Sequence, residues 1–121
     1  PEKKTIDIKL AISAYISDDY IHEDRVRLEL YRRLSKASDI QDIYKIEEEM
    51  EDRFGKPDIF TKQFIELIII KILALNLGIQ SISSYEMNIT FTKANDTKET
   101  IKSPSKDDDD IIATTLRYLR K

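Results

Sequence analysis

The chain of 121 residues contains no cysteine, a single histidine and two glycines. The first absence removes disulfides, thiolate metal sites and cysteine nucleophiles, and it suits the reducing environment of the cytoplasm, where the chain is expected to reside. With no second imidazole or thiol to share a metal, His22 reads as a residue at the entrance to a helix rather than as a ligand or catalyst. Two glycines provide no loop to cradle a phosphate, and none of G-x-x-x-x-G-K-[ST], G-x-G-x-x-G, H-E-x-x-H or G-x-S-x-G occurs. The chain is therefore expected to have no catalytic residue, metal or cofactor of its own, and neither to bind nor to hydrolyse ATP. Nor is there an excess of positive charge. Twenty Lys and Arg against 23 Asp and Glu give a net charge of −3, which supplies no overall field to gather nucleic-acid phosphates.

Long apolar runs are also missing. The one membrane suspect, "FIELIIIKILAL" from Phe64 to Leu75, is shorter than the roughly 20 residues a span needs and contains Glu66 and Lys71. Its apolar side chains cover nearly every direction of a helical wheel, the mark of a core helix enclosed by other elements, and no membrane partner is expected. The length and 40% hydrophobic content suit one compact domain, residues 1–121. The start at Pro1, without a signal-like leader, reads as a domain of a longer protein.

What is present divides into periodic segments. "TIDIKLAI", Thr5 to Ile12, alternates as a half-buried strand. "HEDRVRLELYRRLSKA" places Val26, Leu30, Leu34 and Ala37 at helical spacing. Ser38 with Gln41 suggests a capping box for a second helix that runs to Phe54, with Gly55 as its C′ residue and Pro57 barring continuation. A third helix ends at Gly78. "IQSIS" and "MNITFTK" then read as two strands with "YE" near the turn, and a short strand is expected at Thr100 to Lys102 within a turn-rich loop. Ser105 is placed to cap a last helix, "KDDDD" to "RYLRK", whose charges match the helix macrodipole. Consecutive acids at Asp107 to Asp110 suit a helix start, whereas Ca²⁺ loops interleave carboxylates with turn residues and a glycine. The pattern predicts an α+β fold, a small antiparallel sheet packed against about four helices.

Two charged surfaces stand out. Along helix one, Arg25, Arg32 and Lys36 share a face, with Glu29 spaced to pair with Arg25 and Arg33; the face reads as solvated surface, protein-docking surface or phosphate contact. In helix two, "YKIEEEMEDRFGKP" crowds acids toward the end where the dipole already favours a cation. If Ile43, Ile46, Met50 and Phe54 face the core, Glu48, Glu49 and Asp52 form one acidic patch on the far side. Glu48 and Asp52 repel at i,i+4, while Lys45 and Arg53 are spaced to pair with Glu49. The patch is either ordinary acidic surface or a docking face for a basic partner.

Three stretches also carry a resemblance: "AYISDDYIHEDRVRLELYRRL", "EEEMEDRFGKP" and the apolar helix ending "LNLGI". From about Thr5 to Ile79 the chain resembles the C-terminal (TRCF) domain of bacterial transcription-repair coupling factors, the Mfd family. The resemblance implies a parent that is an ATP-dependent DNA translocase, using ATP and Mg in motor domains outside this chain, removing stalled RNA polymerase and recruiting excision repair. It implies a regulatory role for the domain itself. By similarity it docks on the UvrB-like module of the same polypeptide, masks the UvrA-binding surface and keeps the parent autoinhibited, with Glu49 and Asp52 at the positions of the family's docking acids. The competing reading is a nucleic-acid-binding appendage that uses the basic face of helix one.

Overall fold

The computed structural model describes residues 6–121. Its elements are β1 (Asp7–Lys9), α1 (Asp24–Lys36), α2 (Ile40–Phe54), α3 (Ile59–Asn76), β2 (Ile79–Tyr85), β3 (Asn88–Lys93), β4 (Lys98–Lys102) and α4 (Asp108–Leu119). Four helices and a four-stranded sheet make an α+β fold, as the periodicities indicate. Among the described residues, contacts gather into two compact units, one formed by Ser13–Ile69 and the other by residues 6–12 with Ile70–Lys121.

In the helical unit, α1 turns Leu30 and Leu34 inward and α2 turns Ile43, Ile46 and Met50 inward, while Ile65, Ile68 and Ile69 of α3 are buried as well. Both early helices place apolar residues three and four apart, so each has one stripe that leaves water. The cap of α2 lies one residue later than the capping-box reading. Asp39, not Ser38, is the N-cap, and its Oδ1 accepts from the Gln41 amide at 2.9 Å. Gly55 ends α2 at φ +85°, where a side chain would be strained, and its N–H donates to Glu51 O at 2.9 Å. After Pro57, Asp58 starts α3 by accepting from the Thr61 amide at 3.0 Å.

The segment from Ser13 to Glu23 has no regular structure, and side chains meet its backbone polar groups instead. The Ile16 amide donates to Tyr31 Oη at 2.6 Å, the Ser17 amide to Thr61 Oγ1 at 3.1 Å, and Gln63 Nε2 to Ser13 O at 2.5 Å. Tyr20 Oη donates to Gly55 O at 2.5 Å and also lies 3.3 Å from Met50 O, so one phenol ties this segment to the end of α2. Burial, followed by the nearby Glu51, Asp58 and Glu47, pushes the Tyr20 hydroxyl up to about 12. Tyr20→Phe is expected to lower unfolding free energy by about 1 kcal/mol in denaturant titrations. The sign with pH follows from the raised folded pKa: the stabilisation is whole below pH 10.0 and fades as pH rises toward about 12. Tyr20→Phe should remove that part of the alkaline loss and leave the part due to Tyr118, whose hydroxyl is also raised to about 12.

The sheet unit has strand order β1-β2-β3-β4. β2, β3 and β4 are antiparallel as expected, but β1 pairs with β2 in parallel, Ile8 opposite Ile82, so the sheet is mixed. Three helices lie between β1 and β2 in sequence, and a connection of that length permits the parallel pairing that a hairpin forbids. β4 begins at Lys98, two residues before the expected strand, because the turn with Asp96 at φ +65° closes a full β3–β4 hairpin. The predicted first strand shrinks to Asp7–Lys9, and its expected start at Thr5 lies outside the described residues. Ile82, Ile89 and Phe91 turn one face of the sheet to Ile70 and Ala74 of α3 and to Ile111, Ile112 and Leu119 of α4. Phe91 stacks on Tyr118 at 3.9 Å between ring centres, and Tyr118 Oη donates to Glu99 at 2.7 Å. α4 is capped at Asp107 rather than Ser105; Ser105 Oγ instead accepts from the Asp107 amide at 3.1 Å and donates to Asp110 at 2.6 Å. Asp107, Asp109 and Asp110 gather there, in and beside the first turn of α4. Among the described residues no helix is long and apolar enough to cross a membrane.

Candidate functional site

The acids of α2 all lie in the helical unit, and the core positions of the helix decide where each one points. With Ile43, Ile46 and Met50 buried, a step of about 100° per residue sends Glu48 and Asp52 to the side opposite the core. Both are exposed, and among the described residues neither has an ion-pair partner. Glu49 differs from the sequence reading. It stands on the flank of α2, about a quarter turn from the core direction, and there it meets α1. Arg33 Nη1 and Nη2 donate to its two carboxylate oxygens at 2.6 and 3.0 Å, a bidentate bridge, and Arg53 Nη1 approaches at 3.6 Å. The bonds from Arg33 hold the Glu49 carboxyl below the usual carboxylate range despite some desolvation, with the charges of Arg33 and Arg53 adding to the effect, and Glu49 in turn raises Arg33. The bridge therefore contributes fully above the ordinary carboxylate pKa, and its contribution is lost as pH falls through the lowered value.

The opposite flank is closed as well. Glu47 accepts from Lys62 of α3 at 2.7 Å. The acidic run thus divides by direction into two bridging residues, Glu47 and Glu49, an outer pair, Glu48 and Asp52, and Glu51, exposed on the flank of Glu47; the last three have no ion-pair partner among the described residues. The outer pair is four residues apart at the helix end where the dipole is negative, so both local effects oppose this placement. Arg53 borders the pair and lies 4.8 Å over the Phe54 ring.

Spacing along the helices predicts pairs of Arg33 with Glu29 and of Lys45 with Glu49; neither forms, because Arg33 reaches across to Glu49 of α2. Glu29 likewise makes no bridge to Arg25. Arg27 turns inward and donates to Ile21 O at 2.5 Å and to Asp24. On α1 this leaves Arg25, Arg32 and Lys36 as exposed cations without an ion-pair partner among the described residues. The role of Arg33 was missed because its acid lies 16 residues away on another helix, and i,i+4 spacing carries no sign of it.

The sequence model of the TRCF domain family matches residues 10–103. A transcription-repair-coupling factor from Helicobacter pylori strain J99 is 45% identical over 117 residues, covering 97% of this chain and 12% of the relative. One from Helicobacter pylori strain 26695 is 46% identical over 118 residues, covering 98% and 12%, and one from Rickettsia prowazekii is 32% identical over 77 residues, covering 64% and 7%. A solved structure described as the crystal structure of the C-terminal domain of transcription-repair coupling factor aligns with a TM-score of 0.70 at 24% identity, covering 75% of this chain and 56% of that one. At that identity the likeness is one of fold. This chain spans 12% of the length of the two Helicobacter relatives it resembles. The chain belongs to the TRCF domain family.

Proposed function

We propose that this chain is the autoinhibitory interaction domain of a transcription-coupled DNA repair translocase. It docks through the acidic face of α2 on the UvrB-like module of the same polypeptide and masks the surface that UvrA would use. The observation that carries this reading is the outer pair, Glu48 and Asp52, exposed at the negative end of α2 and without an ion-pair partner among the described residues. An arrangement that local stability opposes is one that docking to a basic surface would use. Glu49 contributes by exchange: its bridge to Arg33 and Arg53 keeps it oriented, and a partner cation competes with them. Motor activity, with ATP and Mg, and contacts to RNA polymerase and DNA belong to the rest of the parent, which works in the cytoplasm.

The test is a calorimetric titration of the chain against the UvrB-like module at low and high salt, followed by addition of UvrA. Affinity is expected to fall as salt rises, since the contact is between exposed charges. UvrA is expected to compete with the chain. A stable ternary complex of chain, module and UvrA would refute the masking role.

A further inference from the structure

We infer that the exposed face of α1 is a second docking surface, one that takes an acidic helical segment of a protein with an apolar side chain at its centre. Arg25, Leu28, Arg32 and Lys36 fall at i, i+3, i+7 and i+11, so they line a single row roughly 16 Å long, about three helical turns. Leu28 is 59% exposed and lies inside this cationic row, on the side of α1 away from buried Leu30 and Leu34. A lone exposed leucine is ordinary surface. One set among three cations that have no ion-pair partner among the described residues offers a partner both an apolar anchor and charge complementarity.

The row runs on into an open surface pocket of ≈ 420 Å³ at the end of α1, lined by Lys36 and Lys45 together with Arg33, Ala37, Asp42 and Ile46. Lys45 also has no ion-pair partner among the described residues. The chemistry of the row is thus extended there by one more cation, Lys45, beside Ala37.

The same features separate a protein partner from nucleic acid. Glu29 stands in the face beside Leu28, and Asp42 lines the pocket. A phosphate backbone presents unbroken negative charge that meets both acids and makes no use of Leu28. An amphipathic segment carries separate carboxylates that match the cations, and places an aliphatic side chain against Leu28. This surface is distinct from the outer acids of α2 and requires a partner of opposite charge to the one they would meet.

The test uses the whole chain and a labelled synthetic peptide of roughly 18 residues, long enough to form a helix, with leucines at heptad spacing flanked by glutamates. A Lys-for-Glu version of the peptide and a duplex DNA of roughly 20 base pairs serve as competing probes. Fluorescence anisotropy at about 150 mM salt should show binding of the acidic peptide alone. Leu28→Ala should weaken it about tenfold, and Arg32→Glu with Lys36→Glu should remove it. Leu28 is exposed, so its replacement keeps the fold and the test readable if the double charge reversal does not. The inference falls if the acidic peptide does not bind, if Leu28→Ala binds it unchanged, or if DNA is bound more tightly than the peptide.

Discussion

Ile68→Asp is expected to unfold the Ser13–Ile69 unit. Ile68 is 7% exposed on α3, and neighbouring Ile69 and Ile65 are also buried, so a carboxylate at this position is taken out of water on an enclosed side of the helix. An unpaired buried charge of this kind costs about 4 kcal/mol or more, against a total stability of roughly 5–15 kcal/mol for a small domain. Ile68→Val keeps the apolar character and should cost only about 1 kcal/mol. Circular dichroism and urea melting separate the two cases: Ile68→Asp should lose its cooperative transition, and Ile68→Val should keep it at a slightly lower midpoint. If Ile68→Asp melted like the parent, this stretch of α3 would not be enclosed.

Charge reversal of the outer pair should release docking without harming the fold. With Glu48→Lys and Asp52→Lys together, like charges would face a basic partner, and affinity for the UvrB-like module should fall about 100-fold, with stronger UvrA binding by the full-length parent. Asp52→Lys alone should weaken docking about tenfold while stabilising the domain by about 0.5 kcal/mol. The new cation suits the C-terminal end of α2 and forms an i,i+4 pair with Glu48. Glu49→Lys is the contrasting case. It removes the acceptor of Arg33 and Arg53 and sets a third cation beside them, so the melting temperature should drop and any loss of docking is mixed with loss of structure. Calorimetry against the module, paired with melting curves, distinguishes these outcomes. Unchanged affinity of the Glu48→Lys, Asp52→Lys double variant at both low and high salt would return the pair to ordinary solvated surface.

Local pattern by itself determined the element types. The all-round apolarity of "FIELIIIKILAL" marked α3 as a core helix, the 3.6-residue spacing of Leu30 with Leu34 and of Ile43, Ile46 and Met50 chose the buried stripes of α1 and α2, and Gly55 and Gly78 marked helix ends through their positive φ. These are properties of the backbone and of neighbours within a turn, so a linear reading reaches them. The free charge of Glu48 and Asp52 was legible for the same reason, as both lie directly opposite the core stripe. Tertiary structure decided what depends on distant partners. It paired β1 with β2 in parallel across three intervening helices, gave Tyr20 the carbonyl of Gly55, and took Glu49 out of the acidic patch by placing Arg33 beside its flank. In each case the partner lies at least 16 residues away, and only the packing of apolar stripes brings the two groups within hydrogen-bonding distance.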